Sequence, residues 1–458
     1  MKKTTCGFTH PFSPAAAVFA AVFFLFPLGG SPAEPVLTAP IVLNGELDHV
    51  SPDGKWAITS DGRVYDTAAW KETAKLEGSF RHFSPDSKWA VMNNDQTGNT
   101  AAWTVTVYDT AAWKKTATVE GNLIFAPGGK WAVTSDGLVY DTAAWKETAK
   151  LEGISIYNLG TLWFSPDGKR AVASDGRVYD TMAWKETARI AEDPYFSPDG
   201  KWAVSLSSSE NQKHRLQIYD TATWGKNATI EEISENERNL LWFSPDGKQT
   251  VTSNGRVYDT AVWKETAKIT SSSLPEWAFL YFSPNSKRAV ASNWSFLSSG
   301  SISSGSVYNT ATWKVIAKIE MDGGEWASLT FSPDSKWAVT ENGLVYNTAT
   351  WKKTAKLAMD TGECGEYISL TFSPDSNWAV TENGLIYNTA TWKTAVKTTQ
   401  ANIYLFPDGK YAGLSAGGET LITELAQLTK ASVRKSIAQW EAKTGKRRAK
   451  KSSINWNQ

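Results

Sequence analysis

A Ser-Pro-Asp-Gly turn, or a close variant of it, returns ten times along this chain, with its proline at Pro52, Pro85, Pro127, Pro166, Pro198, Pro245, Pro284, Pro333, Pro374 and Pro407. The spacings run from 32 to 49 residues. Recurrence on this scale constrains the fold more than composition does. Each copy is one supersecondary unit that cannot bury its own faces, so the copies must stack on one another.

The units read as four short strands. In the stretch from Leu329 to Leu357, "LTF" leads into Ser332-Pro333-Asp334-Ser335, where Pro presets φ and the Ser and Asp side chains bond locally to backbone. "KWAVT" follows as a strand of aromatic and β-branched residues. Asn342-Gly343 supplies a tight hairpin turn, "LVYNTA" runs back, and "KTAKL" follows a turn that carries Trp351. Four antiparallel strands per unit, without linkers between units, match the blades of a β-propeller. The strand period excludes a helical solenoid, and the hairpin turns inside each unit argue against the parallel coils of a β-solenoid. The expected fold class is all-β, a β-propeller of about ten four-stranded blade repeats, in one large ring or two smaller ones.

On these residues the chain resembles the WD-repeat family and its exported bacterial relatives, whose units read "FSPDGK" and "YDTAT-K". "SPDGKWAITSDGRVYDTAAWK", from Ser51 to Lys71, carries the strand-turn-strand pattern, with Tyr65-Asp66 where the family has Trp-Asp. The family's Gly-His dipeptide is missing, Asp66 is matched by Asn309, Asn347 and Asn388, and Trp stands where the last turn usually has Gly. The resemblance therefore implies blade geometry and not the family's buried His-Asp network.

The ends of the repeat array are also readable. "TAPIVLNGELDHVSP", from Thr38 to Pro52, parallels "TAKLEGSFRHFSP", from Thr73 to Pro85, so the N-terminal stretch is expected to supply an outermost strand and to close the array by pairing with the last blade. At the other end "QWEAKTGKRRAK", from Gln439 to Lys450, resembles a fourth strand that completes the tenth unit after a short helical insertion around Leu421 to Ser436.

Lys2 and Lys3, the twelve-residue apolar run Ala15 to Phe26, and Ser31-Pro32-Ala33 read as a signal for export. Twelve residues are too few to span a bilayer as a helix, so no transmembrane segment is expected in the mature chain. The expected organisation is a signal peptide at 1–33, propeller repeats at 34–451 and a tail at 452–458, with a periplasmic or extracellular location. Removing the signal leaves Cys364 as the only cysteine, so no internal disulfide can form. Nine basic residues against one acid between Lys430 and Lys451 give a basic end on a body of 36 basic and 46 acidic residues. An exported chain rarely meets nucleic acid, and this end reads as a solvated terminal segment.

Variation among the repeats locates function. The Ser-Pro-Asp-Gly turn and the turn around "TATWK" barely change, whereas the connections on the opposite face do. These are the second-to-third strand loops at 93–104, 205–215 and 292–306, and the links at 231–239, 270–278, 321–327 and 359–367. Loops on a rigid scaffold are where binding residues concentrate, and aromatic side chains make strong interface anchors. The candidate partner-binding residues are Trp277, Trp326, Tyr367, Trp103 and Trp294. The repeated Trp residues, among them Trp56, Trp70, Trp337 and Trp351, read as structural.

Catalysis has little support. The mature chain carries only His49, His82 and His214, with no paired-His metal motif, nucleophile elbow or phosphate-binding glycine loop. The acidic loop residues Asp322, Glu325, Asp360, Glu363 and Glu366 match no recognised calcium loop. The sequence thus points to an exported, non-enzymatic scaffold without cofactor or metal, binding a protein or envelope component through its variable face. A glycan-binding lectin-like propeller and a propeller enzyme with its site at the central channel are the alternatives.

Overall fold

Turn chemistry sets each blade. In the computed structural model, which describes residues 37, 39–94, 104–152, 154, 162–191, 194–208, 214–233, 241–269, 279–293, 304–321, 328–358, 370–381, 384–398 and 402–454, the eighth blade is Leu329–Phe331, Trp337–Thr340, Leu344–Asn347 and Lys352–Lys356, paired in that order. Ser332 closes the first turn by donating its N–H to Trp337 O at 2.9 Å, and Asp334 Oδ1 accepts from Ser332 Oγ and the Lys336 N–H. In the second turn Gly343 adopts φ +82° and donates to Thr340 O at 2.8 Å. Glycine is required there: at the equivalent Gly62 a Cβ would stand 2.4 Å from Leu76 O. The third turn is closed by the Trp351 N–H on Asn347 O at 2.6 Å.

Ten such four-stranded antiparallel sheets follow one another, at 47–75, 79–120, 123–150, 162–189, 195–233, 241–268, 280–320, 329–356, 370–397 and 402–424, the last joined by Ile41–Asn44. This is a ten-bladed β-propeller. A β-bulge recurs between strands three and four, at Val64/Tyr65, Val139/Tyr140, Val257/Tyr258 and Val345/Tyr346, and shifts the register ahead of the third turn.

The chain divides into two compact units. One is Phe196–Ser369, with the fifth to eighth blades, where cores such as Val290, Val307, Ile319, Leu329, Ala338 and Tyr346 join residues of successive blades. The other comprises Ser31–Tyr195 and Leu370–Gln458, so it holds the first and last blades together.

Within that second unit the tenth blade is closed as expected and built differently. Ile41–Asn44 is its outermost strand, pairing antiparallel with Glu419–Glu424 from Ile41↔Ile422 to Asn44↔Glu419. The Gly45 N–H reaches Gly418 O at 2.8 Å, and the Leu47 N–H is shared by Ser415 Oγ and Thr420 Oγ1. Because the N-terminal strand fills the fourth place, the expectation of a strand at Gln439 to Lys450 is overturned: that segment lies in the helix Ala431–Ile454. The insertion is likewise displaced, since Leu421 to Glu424 belong to a strand and the helix starts only at Ala431. Val433, Ile437, Trp440 and Thr444 are buried at four- and three-residue steps, the period of a helix with one face covered. Val433, Ile437 and Trp440 share a core with Leu414, Leu421, Leu425 and Leu428.

Candidate functional site

All five sequence-predicted binding residues, Trp103, Trp277, Trp294, Trp326 and Tyr367, lie outside the described residues, as do Cys364 and the acidic residues Asp322, Glu325, Asp360, Glu363 and Glu366. What the described residues define is the scaffold on either side of those loops. The two ends of the blades differ.

At the constant end the same bonds tie the first and third turns of the first nine blades. Thr Oγ1 donates to the turn carbonyl at Thr67 to Gly54 (2.7 Å), Thr181 to Gly168 (2.7 Å), Thr260 to Gly247 (2.6 Å) and Thr348 to Ser335 (2.6 Å). Asp66 Oδ1 accepts the N–H groups of Ala68 and Ala69, and Asn347 Oδ1 those of Ala349 and Thr350. The position needs an acceptor oxygen and not a charge, so Asp in the first six blades gives way to Asn at Asn309, Asn347 and Asn388 without loss of the turn. Where the first turn ends in Ser instead of Gly, the serine takes a positive φ, +60° at Ser87 and +61° at Ser335, and its Oγ accepts an N–H from the preceding blade: Asp53 to Ser87 and Asn285 to Ser335, both 3.0 Å.

At the variable end the central strands differ in length from blade to blade. The second and third strands pair over three positions in the first blade, Trp56↔Asp66 to Ile58↔Val64, but over seven in the fifth, Trp202↔Asp220 to Ser208↔His214. Six pairs join Arg288–Asn293 to Ser304–Asn309 in the seventh. The paired positions run up to Ser208 and His214 in the fifth blade and to Asn293 and Ser304 in the seventh.

On the first strand of each blade, the residue before the Phe-Ser-Pro turn changes from repeat to repeat. In the second unit it is His49, His82, Ile124, Trp163, Tyr195, Thr371 and Tyr404 in turn, and in the other Trp242, Tyr281 and Thr330. Trp242 packs, partly buried, against a core shared by the sixth and seventh blades, with Val251, Val257, Leu280 and Tyr308 among its members. His82 sets its ring 5.7 Å from Phe125, and burial, helped by the charges of Arg81 and His49, lowers its pKa to about 4. Burial pushes the Tyr281 hydroxyl well above the usual phenol range. Among the described residues no group of three His, Cys, Asp or Glu side chains gathers to hold a metal, and no helix is long and apolar enough to cross a membrane.

One concave feature escaped the sequence reading. A cleft of about 540 Å³ opens at the constant end between the ninth and tenth blades, lined among others by Asp375, Asn377, Trp378, Asn388, Lys410 and Glu424. The Leu37 N–H donates to Glu424 Oε1 at 2.7 Å at its edge. The signal was there in "TELAQL", Thr423 to Leu428, where other units write "YDTATW": Tyr411 pairs with Glu424 as Trp131 pairs with Asp141, which sets Leu428 in the place of the turn tryptophan.

No family model and no curated protein matches the chain. Among solved structures, a eukaryotic initiation factor is 13% identical, covering 83% of this chain and 98% of its own, with a TM-score of 0.53. A dihydro-heme d1 dehydrogenase, NirN, is 17% identical over 76% of this chain and 79% of its own at a TM-score of 0.38, and the Dos1 propeller 15% identical over 69% and 90% at 0.36. At these identities the likeness is one of fold alone.

Proposed function

We propose that the chain is an exported, non-enzymatic propeller scaffold that binds a protein or envelope component through its variable loop face. The observation that carries this reading is the contrast between the two blade ends. One end repeats the same Thr-to-carbonyl bonds in blade after blade, while the other raises hairpins of three, six and seven paired positions beneath loops of unrelated sequence. Paired backbone limits the freedom those loops lose on binding, so aromatic anchors displayed there bind at a smaller entropic cost. Trp277, Trp326 and Tyr367 are the anchors of the interface, with Trp103 and Trp294 on the long second-to-third strand loops.

The test is a crosslinking capture from native envelope extract with the mature protein and with a Trp277→Ala, Trp326→Ala, Tyr367→Ala variant of unchanged circular dichroism and melting temperature. A partner held by the first and lost by the second is the expected result. Equal capture would move the site off this face. Capture of no protein, with retention on a glycan array, would replace the scaffold by the lectin-like alternative.

A further inference from the structure

We infer that the outer edge of the seventh blade, Lys314–Glu320, is a docking site for the same edge of a second copy of this chain. Among the described residues the exposed large apolar side chains are Val42, Ile124, Met182, Val262, Val315 and Ile316, and only the last two are neighbours in sequence. They stand 49% and 45% exposed on a strand that pairs on one side only, with Ser304–Asn309. At the same two places the fourth strands of other blades have Glu72-Thr73, Glu147-Thr148, Glu265-Thr266 and Lys353-Thr354. Charge on an open edge discourages the addition of another strand, and this edge lacks it there.

Backbone groups face outward as well. The Glu320 N–H and carbonyl point away from Ser304–Asn309 and meet the Tyr346 hydroxyl at 3.1 and 3.3 Å. Alternation along the strand turns the Lys318 groups to the same open side. Ile316 is the residue that the β-bulge leaves unpaired, since Val307 opposes Ala317 and Tyr308 opposes Val315. In other blades a threonine there bonds back to the third strand, as Thr73 does to Val64 O at 3.3 Å, whereas Ile316 brings no hydroxyl.

The charge pattern then selects the partner and the register. Two copies of Lys-Val-Ile-Ala-Lys-Ile-Glu laid antiparallel about Ala317 set Lys314 of each against Glu320 of the other, and Ile316 against Lys318. Centring on Ile316 would oppose Lys314 to Lys318, and centring on Lys318 would oppose two ammonium groups, so only the Ala317 register keeps like charges apart. The Glu320 side chain is 64% exposed and takes Lys353 Nζ on Oε2 at 3.4 Å, a surface contact that leaves its other oxygen for the second copy. Lys264–Lys268 and Lys352–Lys356, laid on themselves end to end, oppose lysine to lysine at both ends. Lys114–Glu120 has the same end charges, but Lys115 and Thr116 stand where the seventh blade has its apolar pair.

The edge uses none of the five aromatic residues of the function proposed above, so the two readings fail independently. Sedimentation velocity of the full-length protein from about 2 to about 200 µM is the test. The wild type is expected to pass from monomer to dimer over that range. The variant Val315→Glu, Ile316→Thr, which restores the residues of the other blades, should stay monomeric with an unchanged melting temperature. Lys314→Glu and Glu320→Lys should each weaken the dimer ~10-fold, because the two-fold axis makes every like-charge contact twice, and the two together should restore it. A wild type that stays monomeric at the highest concentration, undiminished dimers in the edge variant, or a double charge variant weaker than either single one would each overturn the inference.

Discussion

Among the described residues nine tryptophans sit at a positive φ, from 49° at Trp145 to 57° at Trp224, a region that an L-residue with a bulky side chain enters at a cost of about 1–2 kcal/mol. They do so because the left-handed turn drives the indole between blades, where Trp184 is 7% exposed and packs edge to face on both Trp131 and Phe164. Losing such a side chain costs about 3–5 kcal/mol, so packing outweighs strain. Trp184→Gly, which relieves the strain, is expected to lose ~2–4 kcal/mol in urea unfolding, and Trp184→Ala about 1 kcal/mol more, because alanine loses the indole and keeps the strained backbone. The reverse order would show that φ is not what limits the position. His82 carries a second expectation. Its pKa falls from 6.5 to about 4 through burial first and then the charges of Arg81 and His49, so the folded state prefers the neutral ring. Between those values the unfolded chain binds more protons; the stabilisation is full above pH 6.5 and is lost as pH falls towards 4, a loss on the order of 3 kcal/mol. Unfolding curves at pH 7.5 and 4.5 should differ less in His82→Phe than in the wild type, and identical pH slopes would refute the assignment.

Elements were legible wherever one repeat could be checked against another. "FSPDSKWAVTENGLVYNTATWK" and its copies place the same turn residues at the same offsets, so strands such as Trp337–Thr340 and Leu344–Asn347 followed from the sequence. The tenth unit broke that method. "QWEAKTGKRRAK" shares letters with "YDTATWKETAK", and local likeness does not reveal that the strand slot is already filled by Ile41–Asn44 from the opposite end of the chain. The burial period of Val433, Ile437, Trp440 and Thr444 is the deciding signal, and it runs from the expected helical insertion, which holds Val433, into the expected strand, which holds Trp440 and Thr444. The candidate binding residues could be singled out only because they depart from the repeat, and a departure carries no turn chemistry from which to derive a geometry. For the helix the consequence is measurable. Trp440, 5% exposed in the core shared with Leu414 and Leu421, should cost about 3 kcal/mol or more when replaced by Ala, read as a lower unfolding midpoint and faster amide exchange in Tyr411–Ala416. Unchanged exchange there would mean that the helix is not needed to hold the tenth blade.

A chain of repeats has no internal reason to stop, and what ends this one is the pairing of its first strand with its last. Ile41–Asn44 lies on Glu419–Glu424 through contacts separated by more than 370 residues, with Leu37 on Glu424 and Leu47 on Thr420 extending the fastening at both ends. Contacts of such separation cost the most loop entropy to form, so they are expected to come late in folding and to slow unfolding once made. The first-strand and last-strand residues also meet in one core, with Leu43 and Leu47 packed beside Phe406, Tyr411 and Ile422. Deleting residues 1–45 should therefore do more than remove four paired positions. It strips the outer edge of Glu419–Glu424, exposes Leu421 and Ile422, and leaves an unpaired strand that a second chain can extend. The expected outcome is a lower melting temperature together with concentration-dependent dimers or larger species in light scattering. A truncated chain that stays monomeric with an unchanged melting temperature would show that the blades hold together by stacking alone, and that the rigidity on which loop display depends does not come from the closure.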